Sequence, residues 1–225
     1  MSRNGTTTLT EAIGPTSPVT TITITPPNFQ TLNVRIVGTA PLMQARFSAK
    51  SRQAMASKML AGSTSKKGTK REPRDFDADF QGAHHRTAEG WVGVPAAAFR
   101  NACIRACAVV GFQMTTAKMS VFVEADGLDA EDATPLVRLD AGTPERSEMV
   151  TRNATGVTDI RIRPLWREWA VNLRVTFDAD QFTAVDVVNL LARAGLQVGI
   201  GEGRPFSKSS AGMGFGTFRV ESSND

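Results

Sequence analysis

A glycine-rich stretch near the C-terminus constrains this chain more than any other feature. The segment GIGEGRPFSKSSAGMGFGTFRV holds six glycines between Gly199 and Gly216, together with Arg204, Lys208 and three serines, and it ends like a strand. Glycine loses more backbone entropy on folding than any other residue, so this density needs a physical reason. Either the backbone makes a tight crossing here or a ligand lies against it. Because arginine, lysine and serine suit a purely structural crossing poorly, we favour a ligand.

Length and composition indicate a globular protein. The chain has 225 residues, 41% of them apolar, which is enough for one large domain or two small fused ones. Its longest apolar runs are too short to span a membrane and its polar start is unlike a signal peptide, so we expect a cytoplasmic protein. The two cysteines, Cys103 and Cys107, are expected to pack in the core, and we expect no metal ion and no cofactor.

Charge is distributed unevenly along the chain. The net charge is only +4, but KKGTKREPR places five cations against one acid, inside a predicted loop insertion at 62–76. Acids cluster in EADGLDAEDATP, a second predicted loop with a solvated surface. Asp75, Asp77 and Asp79 alternate in DFDADF as if on one strand face. Basic runs often contact phosphates, so the first loop is a candidate nucleic-acid contact.

The apolar pattern divides the chain into an extended Thr/Pro-rich arm (1–30), a single domain (31–220) and a disordered tail (221–225). In the arm, TTITITPPN alternates like a strand and breaks at Pro26 and Pro27, so it is suited to adding a strand to a neighbouring copy.

The domain itself alternates between strands and helices. TLNVRIVGTA, KMSVFVEA, TPLVRLD, DIRIRPLWREWAVNLRVTFD and FGTFRV are predicted to supply strands, with Leu173, Val175 and Phe177 on one face. SAKSRQAMASKMLAG, GWVGVPAAAFRNACIRACAVVG and FTAVDVVNLLARAGL are predicted to contain helices. The last helix has a capping box at Thr183 and Asp186 and is predicted to bury Val185, Val188, Leu191 and Ala192 and to end at Gly195. This order predicts an α+β fold with a ferredoxin-like, RRM-derived core (a split βαβ arrangement) elaborated by inserted loops.

Two motifs carry a family resemblance. A helix followed by Gly199-Ile200-Gly201, a polar stretch and GMGFGTFRV resembles the glycine-rich loop and last strand of the RAMP superfamily, the RRM-like proteins of CRISPR effector complexes. GWVGVPAAAFRNACIRA is similar to the strand, turn and arginine-bearing helix of those proteins, and VNLLARAGLQVGIGEGRP also resembles phage and prophage proteins. The resemblance implies single-stranded nucleic-acid binding, RNA more than DNA, by subunits that stack along the strand in a bacterial host cell, alone or with other subunits.

The expected contacts to nucleic acid fall in three groups. The glycine loop contributes Gly201, Gly203, Arg204 and Lys208; the domain contributes Arg100, Arg161 and Arg163; and the basic loop contributes Lys66, Lys67, Lys70, Arg71 and Arg74. Because the chain has no tyrosine, base stacking is expected from Phe or Trp, with Trp166 and Trp169 as candidates. Valine at Gly201 and Gly203 is expected to damage binding more than folding.

Two alternatives remain open. Some RAMP relatives are metal-independent ribonucleases that use a histidine, and AHHRTAEG supplies His84 and His85 as candidate general acid and base. The other alternative is a phage structural or assembly protein whose arm and loop contact neighbours without nucleic acid.

Overall fold

The computed structural model describes residues 24–46, 49–60, 74–152, 158–207 and 212–221. Most of the predicted arm, most of the basic loop and all of the tail beyond Glu221 lie outside these residues. The strands are β1 (Phe29–Gly38), β2 (Leu42–Met43), β3 (Gly93–Pro95), β4 (Val121–Val123), β5 (Gly127–Leu128), β6 (Pro135–Arg138), β7 (Glu145–Arg152), β8 (Thr158–Trp166), β9 (Ala170–Asp178) and β10 (Phe218–Val220). The helices are α1 (Ala49–Leu60), α2 (Phe76–Gly82), α3 (Ala96–Val109), α4 (Met114–Ser120) and α5 (Ala184–Arg193).

The main sheet has four strands in the order β10-β1-β9-β4, and every neighbouring pair is antiparallel. One face is apolar because alternate residues of the two central strands point to it, including Val34 and Ile36 of β1 and Leu173 and Phe177 of β9. Helices α3 and α5 pack on this face and share one core with it. The chain is therefore a mixed α and β protein with antiparallel sheets, as expected of an α+β fold.

Two long insertions interrupt this core. The first lies between β1 and α3 and contains β2, α1, α2 and β3; the second lies between β4 and β9 and contains β5 to β8. The insertions form two small antiparallel sheets, ordered β2-β8-β7 and β3-β6-β5. Each small sheet combines strands of both insertions, so segments far apart in sequence are joined beside the main sheet.

The aspartate-rich segment DFDADF is a helix and not the predicted strand face. Asp75 is the N-cap of α2, and its side chain accepts hydrogen bonds from the backbone N–H groups of Asp77 and Ala78. Asp77 and Asp79 then lie in the first turn, where negative charge is favourable at the positive end of the helix. The alternation of aspartates that suggested a strand arises because one aspartate caps the helix and the other two lie in its first turn.

Helix α5 begins as predicted, but of the four residues predicted to be buried only Leu191 is fully buried. The capping box is present, with reciprocal bonds between Thr183 and Asp186. Its buried residues are Val187, Leu190 and Leu191, whereas Val185 is 67% exposed and Val188 and Ala192 are half-buried. The apolar residues of this segment cover more than one face, so periodicity alone does not choose between them.

The end of α5 also differs from the prediction. The chain passes Gly195 in a π-helical turn, Ala194–Val198, and the helix ends at Gly199, where φ is +69°. At Gly195 a side chain would overlap the Phe218 backbone of β10, so this glycine permits close helix-to-strand packing and does not end the helix.

Both cysteines pack in the core, as predicted. Cys103 and Cys107 are buried, with a free thiol each, between α3 and its neighbours. Burial raises the pKa of the Cys103 thiol to about 12. Among the described helices, none has both the length and the apolar character that crossing a bilayer requires.

Candidate nucleic-acid interface

The glycine-rich loop, residues 199–217, is fastened to the domain by its backbone. The Glu202 N–H donates to the Met43 carbonyl (2.9 Å), and the Gly216 N–H donates to the Pro41 carbonyl (2.8 Å), so the loop is held beside β2. The Ile200 N–H donates to the Gly216 carbonyl (3.0 Å), which joins the two ends of the loop. These bonds keep the described part of the loop against the core.

Two of the loop glycines predicted to contact nucleic acid have a structural role. Gly201 has φ of +75°, and a Cβ atom there would lie 2.5 Å from the Met43 carbonyl oxygen. Gly203 has φ of +78°, and its Cβ would lie 3.1 Å from the Phe215 side chain. A side chain at either position is therefore disfavoured by both conformation and space. We expect it to reduce folding stability, in contrast to the expectation from the sequence.

Beneath the loop lies a pocket of about 510 Å³, which we call the glycine-loop pocket. Its lining combines one face of α3 with the loop: Ala98, Asn101, Ala102, Arg105, Val198, Gly199, Ile200, Gly201, Arg204 and Phe206. None of these residues is acidic, and two are arginines. The structure thus brings Arg204, predicted as a contact residue, together with three polar or aromatic residues of α3 and the loop that were not predicted.

The two arginines of the pocket are available to an anion. Arg204 donates to the Gly201 carbonyl (3.0 Å), and the Arg105 guanidinium lies 4.3 Å from the centre of the Phe206 ring. Within the described residues neither guanidinium forms a salt bridge with a carboxylate. Asn101 and Arg105 are four residues apart and share one face of α3, a spacing that could have pointed to them.

Arg161 and Arg163 of β8 contact the loop through Glu202. Both bind Glu202, with N–O distances of 3.1 Å and 2.7 Å. One carboxylate neutralises one of the two positive charges and connects the glycine loop to β8. These predicted contact residues therefore position the loop, and they retain one excess positive charge between them.

Arg100 and Arg74 are bound within the protein. Arg100 donates to the carbonyls of Val121 and Lys118 and lies 4.7 Å from the centre of the Phe122 ring. Arg74 forms salt bridges with Asp79 (2.8 Å) and Asp159 (2.7 Å). The other predicted cations, Lys66, Lys67, Lys70, Arg71 and Lys208, lie outside the described residues.

The prediction that Trp166 or Trp169 stacks with bases is wrong. Each is only 3% exposed, and their indole N–H groups donate to the carbonyls of Gly142 and Ala40. The aromatic surface is elsewhere: Phe29 and Phe122 are 45% and 36% exposed and meet edge to face at 5.8 Å. Both belong to the main sheet and lie on the face opposite the helices.

The same open face of the main sheet carries a groove of about 940 Å³. Two of its three arginines are neutralised by neighbouring acids, since Arg35 pairs with Asp140 (2.7 Å) and Arg174 pairs with Asp126 (2.8 Å). The third, Arg138, lies 5.9 Å from the centre of the Trp91 ring. The groove is larger than the glycine-loop pocket but its charges are nearly balanced. The glycine-loop pocket is therefore the stronger candidate for binding phosphate.

The two adjacent histidines have different environments. His84 is only 2% exposed, so it has no access to a substrate. Its Nδ1 donates to the Phe80 carbonyl (2.9 Å), and burial lowers its pKa. The His85 side chain keeps 14% of its surface exposed, and its Nδ1 lies 3.0 Å from a carboxylate oxygen of Asp129. Burial lowers the pKa of His85, while Asp129 opposes that shift. Only His85 is suited to proton transfer.

Asp129 belongs to a buried ionic network that the sequence did not predict. Its carboxylate is also 2.9 Å from the guanidinium of Arg46, and both side chains are almost completely buried. Glu131 pairs with Arg46 (2.9 Å) and with Arg52 of α1 (3.1 Å). The acidic stretch is therefore not a purely solvated loop, because it anchors the two insertions to each other.

No cluster of three or more histidine, cysteine or carboxylate side chains suited to a metal ion occurs among the described residues. No protein-family model matches this sequence, and no curated protein sequence matches it.

Proposed function

We propose that this protein binds single-stranded nucleic acid, RNA in preference to DNA, and self-associates along the strand as a backbone subunit of a nucleoprotein complex. The observation that carries the proposal is the glycine-loop pocket, whose described lining includes Arg105 and Arg204 and no acidic residue. A phosphate group is the abundant anion that such a pair binds well, since guanidinium groups donate to it in a fixed geometry.

The topology of the main sheet supports a RAMP-type, ferredoxin-like core. Two strand–helix–strand units, β1–α3–β4 and β9–α5–β10, interleave so that each has a strand of the other unit between its own two strands. This order supports the split βαβ arrangement that the sequence predicts.

Base contacts in this proposal come from the open face of the sheet. Phe29 and Phe122 supply exposed ring surface, and each stacked base contributes about 1–3 kcal/mol with little sequence preference. The phosphate contacts of the pocket and of Lys66, Lys67, Lys70, Arg71 and Lys208 make affinity fall with salt. Binding is therefore expected to be weakly sequence-selective and strongly dependent on ionic strength.

Paired arginine variants test the proposal. Arg105→Gln/Arg204→Gln removes two charges from the pocket, and Arg146→Gln/Arg167→Gln removes two charges that are paired with acids on or beside the β7–β8 hairpin. We expect the pocket variant to lose about 10- to 100-fold in affinity for labelled single strands, as charge-assisted hydrogen bonds are lost, and the control to lose much less. Fluorescence anisotropy at several salt concentrations measures both.

Equal affinities for the two variants would contradict the proposed site. Absence of binding by the unmodified protein at low salt would contradict the function and favour a structural or assembly protein.

A second candidate function, metal-independent RNA cleavage, is favoured by the Asp129–His85 contact. A carboxylate at Nδ1 orients the ring and leaves Nε2 to accept or donate a proton. Cleavage of the same labelled RNA in EDTA, lost in His85→Ala, would support this candidate; intact RNA would exclude it.

A further inference from the structure

One edge of β1 is only partly paired. Strand β9 pairs with β1 along nearly all of its length, whereas β10 pairs with Ile36–Gly38 alone. Just beyond β10, the Glu221 N–H donates one further hydrogen bond to β1, to the Arg35 carbonyl (2.9 Å). Toward the start of β1, the β10 side of the strand has no neighbour among the described residues.

The hydrogen bonds already present identify the groups on this edge. In an antiparallel sheet, successive residues direct their N–H and C=O groups to opposite neighbours. Since Arg35 and Thr39 bond on the β10 side, Phe29, Thr31 and Asn33 direct their backbone groups to that side as well. Within the described chain these groups have no hydrogen-bond partner, so this part of β1, which we call the open β1 edge, can accept another strand.

A segment of the same sequence has the pattern of such a strand. In residues 19–25, VTTITIT, Ile22 and Ile24 alternate with threonines over 21–25, and every residue of the segment is valine, isoleucine or threonine, which have high strand propensity. Ile24, at the start of the described chain, is 87% exposed. Its side chain is therefore available to pack elsewhere.

Two prolines between this segment and β1 disfavour pairing of the two within one chain. Pro26 and Pro27 fix two consecutive φ angles near −65°, and a residue before proline is held extended. Residues 24–28 are exposed and belong to no helix or strand, and the Asn28 carbonyl accepts a hydrogen bond from the Ala179 N–H (2.7 Å) just beyond β9. Pairing within one chain would need a tight reversal at these prolines, so the geometry favours a second copy.

We propose that the open β1 edge receives residues 19–25 of a second copy as an added strand. This proposal rests on the self-association in the proposed function and names the surface that carries it. The C-terminal residues Ser-Ser-Asn-Asp are weaker candidates for this edge, because serine, asparagine and aspartate have low strand propensity. A donor segment and an acceptor edge at different places on one chain make a head-to-tail contact, which can extend along a nucleic-acid strand.

Proline variants test each half of the contact in nuclease-treated protein without nucleic acid. Ile22→Pro/Thr23→Pro removes two successive backbone N–H groups of the added strand, so one of them is lost from whichever side of that strand faces β1. Thr7→Pro/Thr8→Pro is the matched control earlier in the chain. Thr31→Pro removes one donor of the open edge while leaving the β9 side bonded. Sedimentation at several protein concentrations measures association, and thermal unfolding checks that Thr31→Pro folds.

We expect the unmodified protein and the Thr7/Thr8 control to associate with increasing concentration, and the other two variants to remain monomeric. An equimolar mixture of Ile22→Pro/Thr23→Pro with Thr31→Pro should form dimers, because one intact donor then meets one intact acceptor. A monomeric unmodified protein, or unchanged association of Ile22→Pro/Thr23→Pro, would overturn the inference. The comparison of the unmodified protein with Ile22→Pro/Thr23→Pro tests the inference even if Thr31→Pro does not fold.

Binding of an oligonucleotide of about eight nucleotides separates this inference from the proposed function. A protein that binds the oligonucleotide but stays monomeric contradicts the strand addition and leaves the nucleic-acid binding of the proposed function intact. A protein that associates through the arm but binds no oligonucleotide contradicts only the nucleic-acid function.

Discussion

At the scale of single residues, the glycine loop depends on backbone conformation. Gly201 and Gly214 both have positive φ, +75° and +77°, but only Gly201 faces another backbone atom, the Met43 carbonyl oxygen. Gly201→Ala should therefore lower the free energy of unfolding by about 2–4 kcal/mol, combining a strained conformation with a steric clash. The new methyl group in Gly214→Ala has no described residue within 4 Å, so this variant should cost only about 1–2 kcal/mol. Urea denaturation of the two variants measures the difference.

An equal loss of stability in the two variants would contradict this account, since it would mean that β2 yields to the new methyl group. The comparison also bears on nucleic-acid binding. Folded Gly214→Ala keeps the contact between the loop and β2, so a large loss of affinity in that variant would indicate direct ligand contact with the loop.

At the scale of secondary-structure elements, α5 offers a cap whose contribution can be isolated. Thr183 and Asp186 exchange hydrogen bonds at the helix N-terminus, and both are exposed. Thr183→Ala should lower the free energy of unfolding by about 1 kcal/mol, and Asp186→Ala should also lower it. The double variant should lose less than the sum because the bonds are reciprocal. Chemical denaturation of the unmodified protein, the two single variants and the double variant measures the coupling energy between Thr183 and Asp186. Thr115→Ala replaces an exposed threonine that is not a helix cap and serves as the control. If the two single losses of stability add exactly in the double variant, the hydrogen bonds of the capping box do not support each other.

Elements with a local signal were predictable from the sequence. The box of α5, strand β1 and the alternation of β9 depend on spacing along the chain, and the structure contains all three. α2 was missed because a cap and two charged residues alternate like a strand. The buried face of α5 was missed because Val185 and Val187 are equally apolar and only tertiary packing distinguishes them.

The glycine-loop pocket was predictable only in part. Arg204 could be predicted because it lies among the loop glycines. Arg105 lines the same pocket only because α3 packs against the loop, and no local sequence pattern predicts that packing. The same limit explains why Trp166 and Trp169 were taken for surface residues. They lie at and just beyond the end of the arginine-bearing strand β8, but the ring of Trp166 packs against His84 and the ring of Trp169 packs against Phe218 of β10.

At the scale of the whole molecule, the buried Arg46–Asp129 pair connects the two insertions. Breaking one partner of a buried pair leaves an uncompensated charge, which costs about 3–5 kcal/mol, while a pair exposed to solvent contributes about 0–1 kcal/mol. Arg46→Met should therefore unfold the protein at much lower denaturant than Arg167→Met, whose partner Glu145 lies on the surface. Urea denaturation of both variants checks this difference.

The double variant Arg46→Met/Asp129→Asn provides the decisive comparison for the network. Removing both charges eliminates the unpaired carboxylate, so the double variant should be more stable than Arg46→Met alone, even though it also loses the Asp129 contact with His85. If instead the double variant loses the sum of the two single losses, Asp129 would be stabilised chiefly by other groups, such as the Glu131 N–H that donates to it at 2.9 Å. The insertions would then be held together by their small sheets and not by the buried charges.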